Sequence, residues 1–401
     1  MKYRLQALVF VFVFVAFMLG CNEYMIVGVL PDVARDFHEP LSKLGLLVTI
    51  FALVYAVCTP IITSVASRWP RHRVLLSLIG IFLVGNSWSA LATGYWSMFI
   101  SRVITASVAG AIISLVMVMV NFTAPRHRRA SIVSWVFAGF SIASIIGIPI
   151  GTIVSHLFSW RESFWMISLL TIPVFAALLW LLPRDTPQVR SRFKKQFTLL
   201  RDQRVILGTS LIVLVCASDY TIYTYIRPLV TNVMGFSYAW LNWILFGMGV
   251  FFIIGNKFGG YIADHGGMLT LRWIYIVMTL LYLALGVTFQ YKWIAALIIG
   301  LLCISFCCYG SSTQLMFMDI AESEYPASLD LASSLNAIFA NIGISLGSFT
   351  ASEAVQFTKM SNLGYIGVVY GLLTIVVVFT LANKYQSKNN VHIHLPEQKA
   401  E

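Results

Sequence analysis

The feature that most constrains this chain is a series of apolar runs, each of about 18 residues or more, that recur along the whole sequence. Each run is long enough to cross a hydrocarbon core of about 30 Å as a helix. Backbone polar groups in lipid must pair with one another, so the runs predict helices, and they lack the alternating pattern of an outer-membrane barrel. The sequence therefore predicts an all-α polytopic membrane protein. The predicted spans cover residues 6–30, 42–66, 74–92, 97–121, 131–155, 163–182, 205–228, 238–262, 271–290, 293–317, 331–356 and 364–383.

The charge content supports the same class. Only 11% of the 401 residues are charged and 59% are hydrophobic, whereas soluble domains carry roughly 25% charged residues. The missing charge implies that lipid faces much of the surface. The first apolar run continues past the length of a signal peptide and has no small-residue cleavage site before Pro31, so we interpret it as a retained helix.

The distribution of basic residues predicts the orientation. With the N-terminus inside, 20 of the 27 Lys and Arg residues fall in inside segments and six in outside segments. This bias places both termini in the cytoplasm, as an even number of spans requires. The formal net charge of +11 is then mostly a topology signal. Nucleic-acid binding is disfavoured because the basic residues are scattered over short loops.

The cysteines and histidines give no sign of a disulfide or a metal site. All six cysteines lie in apolar runs, where small buried hydrophobic side chains are the ordinary interpretation. His392 and His394 lie in a polar tail and are interpreted as solvated. We expect no metal ion and no cofactor.

The chain divides into two similar halves. Residues 1–183 and 205–383 are predicted to form six-helix bundles, with a basic cytoplasmic linker at 184–204 and a polar cytoplasmic tail at 384–401. The triplet Asn22-Glu23-Tyr24 in the first span matches Ser218-Asp219-Tyr220 in the seventh at an offset of 196 residues. Two halves repeated in the same orientation are typical of one large class of transporters.

Several motifs make a family resemblance specific. The resemblance rests on four parts of the sequence: Asn22-Glu23-Tyr24, the segment from Gly28 to Ala34, Trp160-Arg161 with Phe164, and the segment from Tyr220 to Ile226 with Pro228. On these residues the chain resembles the major facilitator superfamily, in particular its 12-span drug/proton antiporters and their sugar-efflux branch. The resemblance implies two six-helix bundles related by pseudo-two-fold symmetry around a central cavity.

The family's loop motif after the second span is present in altered form. Residues 63–73 keep the basic positions but lose the motif's glycine and aspartate, and residues 260–264 keep those two while lacking the arginines that follow. The resemblance implies a conformational clasp, and plain positive-inside topology is the alternative. The candidate clasp residues are Arg68, Arg71, Arg73, Gly260 and Asp264.

The fifth span contains Gly147, Pro149 and Gly151, which resemble the family's antiporter motif. Proline removes a backbone donor and bends a helix, and glycine allows close helix approach. The resemblance implies that this bend seals one side of the cavity. The alternative is a kink with small-residue packing and no link to transport direction.

Three ionisable residues lie deep in apolar runs, where a charge usually faces a cavity or a partner. Glu23 and Arg102 lie about 8–10 Å below the outer surface and Asp219 about 14 Å below it, at 1.5 Å of rise per residue. In the family the first, fourth, seventh and tenth helices line the cavity, so the resemblance implies that the three side chains face one another. We expect them to couple transport to protons, and a static ion pair is the alternative.

Polar and aromatic residues in the spans are candidates for the substrate surface, because a small-molecule site needs a few polar groups among apolar walls. Interfacial anchoring and helix linkage are the alternatives for each of them. The candidates are Asn22, Tyr24, Tyr220, Tyr223, Trp243, Gln314, Asn336 and Asn341.

The predicted function is proton-coupled efflux of a sugar-like or amphipathic small molecule by alternating access. The proton gradient supplies the energy, and the partners are the substrate, protons and the lipid bilayer. We expect a monomer in the inner membrane of a bacterium. A facilitator-fold importer or uniporter stays open, as does a non-transporting membrane enzyme or sensor, although no nucleophile or nucleotide motif supports catalysis.

Overall fold

The computed structural model describes residues 2–66, 69–125, 129–183, 197–265 and 267–393. Within these ranges long helices are joined by short loops, and twelve helical segments are long and apolar enough to cross a membrane. The first half contains α1 (Lys2–Phe37), α2 (Leu41–Ala66), α3 (Arg71–Ala90), α4 (Tyr95–Thr123), α5 (Arg129–Leu157) and α6 (Trp160–Leu181). The second half contains α7 (Gln203–Tyr223), α8 (Tyr238–His265), α9 (Gly267–Thr288), α10 (Lys292–Cys307), α11 (Tyr309–Glu324), α12 (Leu329–Phe357) and α13 (Leu363–Ile393).

The two halves repeat one packing scheme. In the first half α1 packs on α5 and α6, α4 packs on α2 and α3, and α3 also packs on α6. In the second half α7 packs on α12 and α13, the α10–α11 pair packs on α8 and α9, and α9 also packs on α13. Since α10 and α11 together make one span, each helix of the first half has a counterpart in the second. The fold is therefore two six-span bundles related by a pseudo-two-fold, as the sequence predicts.

Two predicted span ends are wrong, and proline is involved in both. The first span was expected to stop before Pro31, but α1 contains Pro31 and continues to Phe37. The seventh span was expected to reach residue 228, but α7 ends at Tyr223 and a three-residue helix, Ile226–Pro228, follows. Pro228 has no N–H for the carbonyl of Thr224, and its ring crowds that carbonyl, which disfavours a continuous helix there.

The predicted linker and tail are described only in part. Residues 184–196 of the linker lie outside the described ranges, Phe197–Arg201 form a 3-10 helix, and α7 begins at Gln203. The tail was expected to begin at residue 384, whereas α13 continues to Ile393. The domain boundaries therefore stay a prediction.

The first and last described residues, Lys2 and Ile393, lie on one face of the protein, which we call the terminal face. The opposite face, which we call the distal face, carries the connections α1–α2, α3–α4, α5–α6, α7–α8, α9–α10 and α12–α13. The two halves contact each other mainly through α2 with α12 and α5 with α8. Each hydrogen bond and ion pair described between the halves lies on the distal side of this contact. The bundles are therefore joined at the distal face.

Candidate functional site

An ion pair between the halves closes the distal face. The Arg227 guanidinium, just after α7, is 98% buried and lies 2.5 Å and 3.1 Å from the two carboxylate oxygens of Asp32 on α1. It also donates to the Gly28 carbonyl and to the Tyr238 hydroxyl. Ser155 on α5 donates to the same Asp32 carboxylate. We call these five residues the distal latch, and it ties α1 and α5 of the first half to the second half.

A second contact between the halves lies beside the latch. The Tyr225 hydroxyl lies 3.0 Å from Ser352 Oγ on α12 and 3.4 Å from the Ser42 carbonyl on α2. Deeper along the same helix pair, Thr49 Oγ1 and Ser348 Oγ are 2.9 Å apart. These bonds place α2 against α12 where the chain has just left α7. The distal entrance is thus shut by polar contacts from five helices, α1, α2, α5, α8 and α12.

The Glu23 carboxylate lies in the space between the halves. Glu23 and Tyr24 are half-buried, although the residues around them on α1 are almost completely buried. The distal latch closes one end of this space. Glu23 makes no hydrogen bond or ion pair with any side chain in the described ranges. Glu23 is thus a partly exposed carboxylate in the middle third of α1.

Arg102 is the cation beside Glu23, and the two side chains interact electrostatically without forming an ion pair. Arg102 on α4 is completely buried, and its guanidinium lies 4.1 Å above the Phe51 ring. Nη1 donates to both the backbone carbonyl and Oδ1 of Asn22, each at 3.1 Å. Nε and Nη2 are buried and have no hydrogen-bond partner among the described residues. Arg102 is held at one edge and keeps two donors unused.

The structure does not bring Asp219 to this pair. Asp219 is 6% exposed, and its electrostatic neighbours all lie in the second half. They are Cys216, Tyr220 and Tyr223 on α7, Tyr282 on α9, and Cys303 and Cys307 on α10. One carboxylate oxygen, Oδ2, is buried without a hydrogen-bond partner in the described ranges. The expectation of a single cluster therefore fails for Asp219. The sequence repeat places it at the height of Glu23, but its side chain is surrounded by its own bundle.

Aromatic rings from both halves line the space around Glu23. Tyr24 interacts electrostatically with Tyr220, whose ring lies 5.3 Å from that of Tyr223. The row continues through Phe252 and Phe306 with centroid spacings of 5.8 Å and edge-to-face geometry. Stacked and edge-on rings give an apolar wall with a few hydroxyl groups. Three of the predicted substrate residues, Tyr24, Tyr220 and Tyr223, therefore share one surface with Glu23.

Trp243 is not part of this wall. It lies nine residues before Phe252 on α8, which at 3.6 residues per turn places it on the opposite side of the helix. Its side chain is 70% exposed, and so are large parts of Trp240 and Phe246. The structure does not place Trp243 beside the aromatic wall in this conformation, and its role as a substrate residue stays a prediction.

The remaining predicted amides are mostly used within the protein. Asn22 is completely buried, and both ends of its amide are bonded. Asn336 on α12 donates to the Gly310 carbonyl at 2.9 Å and accepts from Thr313 at 3.0 Å, which ties α12 to the start of α11. Asn341 is 6% exposed with a buried, unpartnered Oδ1, and Gln314 is half-buried on α11. Asn22 and Asn336 therefore serve internal hydrogen bonding here.

The antiporter-like motif packs α5 closely on α1. A Cβ at Gly147 would lie 3.3 Å from the Cβ of Tyr24, and one at Gly151 would overlap the side chain of Met25. Pro149 lies between them inside α5. The two glycines thus allow the backbone of α5 to approach α1 closely at Tyr24 and Met25. Whether this contact serves transport direction stays a prediction.

Among the described residues, the predicted clasp has no partner on its second-half side. Asp264 is exposed and makes no hydrogen bond or ion pair in the described ranges, and a Cβ at Gly260 would meet nothing within 4 Å. In the first half the Arg71 guanidinium lies 4.6 Å above the Phe122 ring, and Arg73 is exposed. Arg68 lies outside the described residues. Within the part of the chain that the structure describes, Asp264 contributes no clasp contact, and the clasp stays a prediction.

Sequence reasoning missed the distal latch. Arg227 was counted only as an outside basic residue, and Asp32 only as part of a resemblance. A signal was available, because Arg227 directly precedes Pro228 near the end of an apolar run, where a charge needs a partner. Asn86 was also missed, although an amide within the apolar third span is a comparable signal.

Comparison with known proteins agrees with this architecture. The family model of the Major Facilitator Superfamily matches residues 12–348. The chain is 30% identical to the Uncharacterized MFS-type transporter YtbD of Bacillus subtilis, over 90% of this chain and 91% of that one. It is 29% identical to the Inner membrane transport protein YdhP of Escherichia coli K12 (92% and 94%) and 27% identical to a Probable sugar efflux transporter of Helicobacter pylori (93% and 94%).

A solved structure shows the same fold. A bacterial homolog of the human lysosomal transporter Spinster, in an inward-facing and occupied conformation, superposes with a TM-score of 0.76. That match covers 95% of this chain and 97% of the other at 15% identity, so it speaks for the fold alone. The repeated packing scheme, the twelve spans and the family match lead to one assignment: the chain is a multi-pass membrane protein that belongs to the Major Facilitator Superfamily of transporters.

Proposed function

We propose that this transporter is an efflux antiporter, in which proton entry through Glu23 drives a small molecule outward. The observation that carries the proposal is the Glu23 carboxylate itself. It is partly exposed in the space between the halves, it interacts electrostatically with Arg102, and no ion pair neutralises it. An ionisable group at this depth is costly unless its charge state has a use.

The latch gives the carboxylate alternating access. In the present conformation the Asp32–Arg227 pair closes the distal side, so Glu23 exchanges protons with the terminal face. Opening the latch and closing the terminal side would expose the same carboxylate to the distal face. A proton taken up there leaves after the return, and Arg102 stabilises the carboxylate that remains. Substrate bound beside Glu23 competes with the proton, so the two cross in opposite directions.

The aromatic wall supports a substrate with flat apolar faces and some hydroxyl or amine groups. Rings such as Tyr220 and Tyr223 offer such faces, while their hydroxyl groups and Glu23 offer hydrogen bonds. Sugar-like and amphipathic drug-like molecules both fit this description. The probable sugar efflux transporter among the relatives supports the first of these two classes.

The proposed setting is the inner membrane of a bacterium, with the terminal face in the cytoplasm and the protein acting as a monomer. The excess of Lys and Arg in the segments of the terminal face supports this orientation. In that setting the distal face meets the exterior, where protons enter.

The test is proton-driven flux in proteoliposomes of purified protein, with a panel of labelled sugars and amphipathic compounds. Glu23→Gln keeps the shape and hydrogen-bonding capacity of the side chain and removes the charge. It should abolish uphill, pH-driven efflux and spare downhill exchange. The matched control is Glu39→Gln, because Glu39 pairs with Lys43 at the distal end, away from the cavity.

Two results would change the assignment. Wild-type proton coupling in Glu23→Gln would make Glu23 a structural residue and remove the proposed mechanism. Substrate accumulation in the inward direction, independent of outward proton exchange, would point to an importer or uniporter instead.

A further inference from the structure

A chain of buried hydrogen bonds runs from α6 through α3 and α1 to Arg102. Asn86 Nδ2 donates to the Phe164 carbonyl and to Ser168 Oγ, both at 2.8 Å. Asn22 Nδ2 donates to Asn86 Oδ1 at 2.6 Å, and Asn22 Oδ1 accepts from Arg102 Nη1. Asn22 and Asn86 are completely buried, and Ser168 is 2% exposed.

The direction of this chain is fixed by its far end. A backbone carbonyl can only accept, so the Phe164 carbonyl requires the NH₂ group of Asn86. Asn86 Oδ1 must then face Asn22, which has to answer with its own NH₂ group. The Asn22 oxygen is left for Arg102, which has only donors. The hydrogen-bond network therefore determines which end of each amide is the oxygen and which is the nitrogen.

The hydrogen-bond chain supplies Arg102 with acceptors, which Glu23 does not. Arg102 is a buried cation without an ion pair, and the Asn22 carbonyl and Oδ1 are its only hydrogen-bond acceptors among the described residues. A cation in this position moves towards any free anion unless other groups hold it. Since Asn22 is itself held by Asn86, and Asn86 by Phe164 and Ser168, the guanidinium keeps its place above Phe51.

We propose that Asn86 and Ser168 are positioning residues for proton coupling, because they orient Asn22 and so hold Arg102 at a fixed separation from Glu23. This proposal rests on the proposed proton-driven function. Neither residue faces the cavity, so neither touches substrate. When Glu23 is neutral, the chain holds Arg102 in place, and when Glu23 is ionised, the two unused donors Nε and Nη2 are available to its carboxylate.

The experiment compares two activities of the same preparation, uphill proton-driven efflux and downhill exchange. Asn86→Leu keeps the branched outline of the side chain, removes its amide and so breaks the hydrogen-bond chain. We expect the ratio of uphill efflux to downhill exchange to fall on the order of tenfold, the effect of a lost hydrogen bond to a charged group. A merely structural defect lowers both activities and leaves their ratio unchanged.

The matched control is Ser89→Ala. Ser89 lies on the same helix as Asn86, is completely buried, and bonds Ser101 on α4 at 2.8 Å, but it is not part of the chain. Its ratio should equal that of the wild type. A milder variant, Ser168→Ala, removes one acceptor from Asn86 and should lower the ratio of uphill efflux to downhill exchange partially. It tests the positioning role if Asn86→Leu fails to insert into the membrane.

The Glu23→Gln background separates the two proposals. If Asn86 acts through Arg102 on Glu23, adding Asn86→Leu to Glu23→Gln should leave downhill exchange unchanged within about twofold. An unchanged ratio of uphill efflux to downhill exchange in Asn86→Leu overturns the positioning role; where that variant does not insert, the same result in Ser168→Ala overturns it. An equal loss of downhill exchange from Asn86→Leu in the wild-type and Glu23→Gln backgrounds also overturns it. Wild-type coupling in Glu23→Gln would instead overturn the proposed function itself.

Discussion

Breaking the distal latch should shift the protein towards a conformation that is open at the distal face. Arg227→Met keeps a long, flexible side chain in the buried position and removes the charge. The change loses two hydrogen bonds to the Asp32 carboxylate, one to the Gly28 carbonyl and one to Tyr238. The contacts to Asp32 and Gly28 join the two halves and belong to the distal-closed state, so their loss raises the free energy of that state relative to the distal-open one.

The magnitude follows from burial. Breaking a fully buried ion pair costs about 3–5 kcal/mol. Asp32 is 17% exposed at its side chain and keeps the hydrogen bond from Ser155, so we expect about 2–3 kcal/mol, below that range. Since about 1.4 kcal/mol is a factor of ten, the ratio of distal-closed to distal-open protein should fall roughly 30- to 150-fold.

The assay measures the distance between spin labels at the distal ends of the two halves. Phe158, after α5, and Phe357, at the end of α12, are 75% and 83% exposed and accept labels as cysteine variants. Of the six native cysteines, five are buried and Cys58 is half-buried, so a Cys58→Ser background limits unwanted labelling. Arg227→Met should add a population with a longer distance.

The control for this measurement is Arg161→Gln. Arg161 pairs with Asp36 at 2.8 Å on the same face, but both residues belong to the first half, and Arg161 is half-buried while Asp36 is exposed. Such a pair contributes about 1 kcal/mol or less and joins nothing across the halves, so the distance distribution should not change. If Arg227→Met also left the distribution unchanged, the latch would not hold the closed state, and our reasoning about it would be wrong.

Three further predictions test other parts of the molecule. An introduced cysteine near Lys195 should react only with reagents that reach the cytoplasm, and labelling from outside would reverse the topology. The double variant Gly147→Leu, Gly151→Leu should reduce transport more than membrane insertion, because each larger side chain overpacks the α1–α5 contact at a cost of about 1–3 kcal/mol, and full transport activity would remove the motif from the mechanism. Asp219→Asn should impair proton coupling less than Glu23→Gln in the same flux assay, and loss of coupling in Asp219→Asn alone would move the proton site to the second half.

The candidate site shows how far local patterns reach. Glu23 and Arg102 could be predicted as a pair because a charge in an apolar run needs a cavity or a partner, and the structure places them together. Asp219 satisfied the same rule but lies in its own bundle, and Trp243 lies on the side of α8 opposite Phe252. Residue type and depth can be derived from sequence, whereas the rotation of a helix is set by its neighbours.

The sequence by itself determined the class of the protein, its number of spans and its two-fold repeat, because each depends on the transfer of short segments from water to lipid and on repeated local patterns. Only the tertiary structure decided that Arg227 meets Asp32 across 195 residues, and that Asn86 reaches Arg102 through Asn22. In lipid every helix presents similar apolar surfaces, so the pairing of faces depends on small residues and on a few buried hydrogen bonds. Those contacts join residues that are far apart in the sequence, so they stabilise the protein only after the helices have packed.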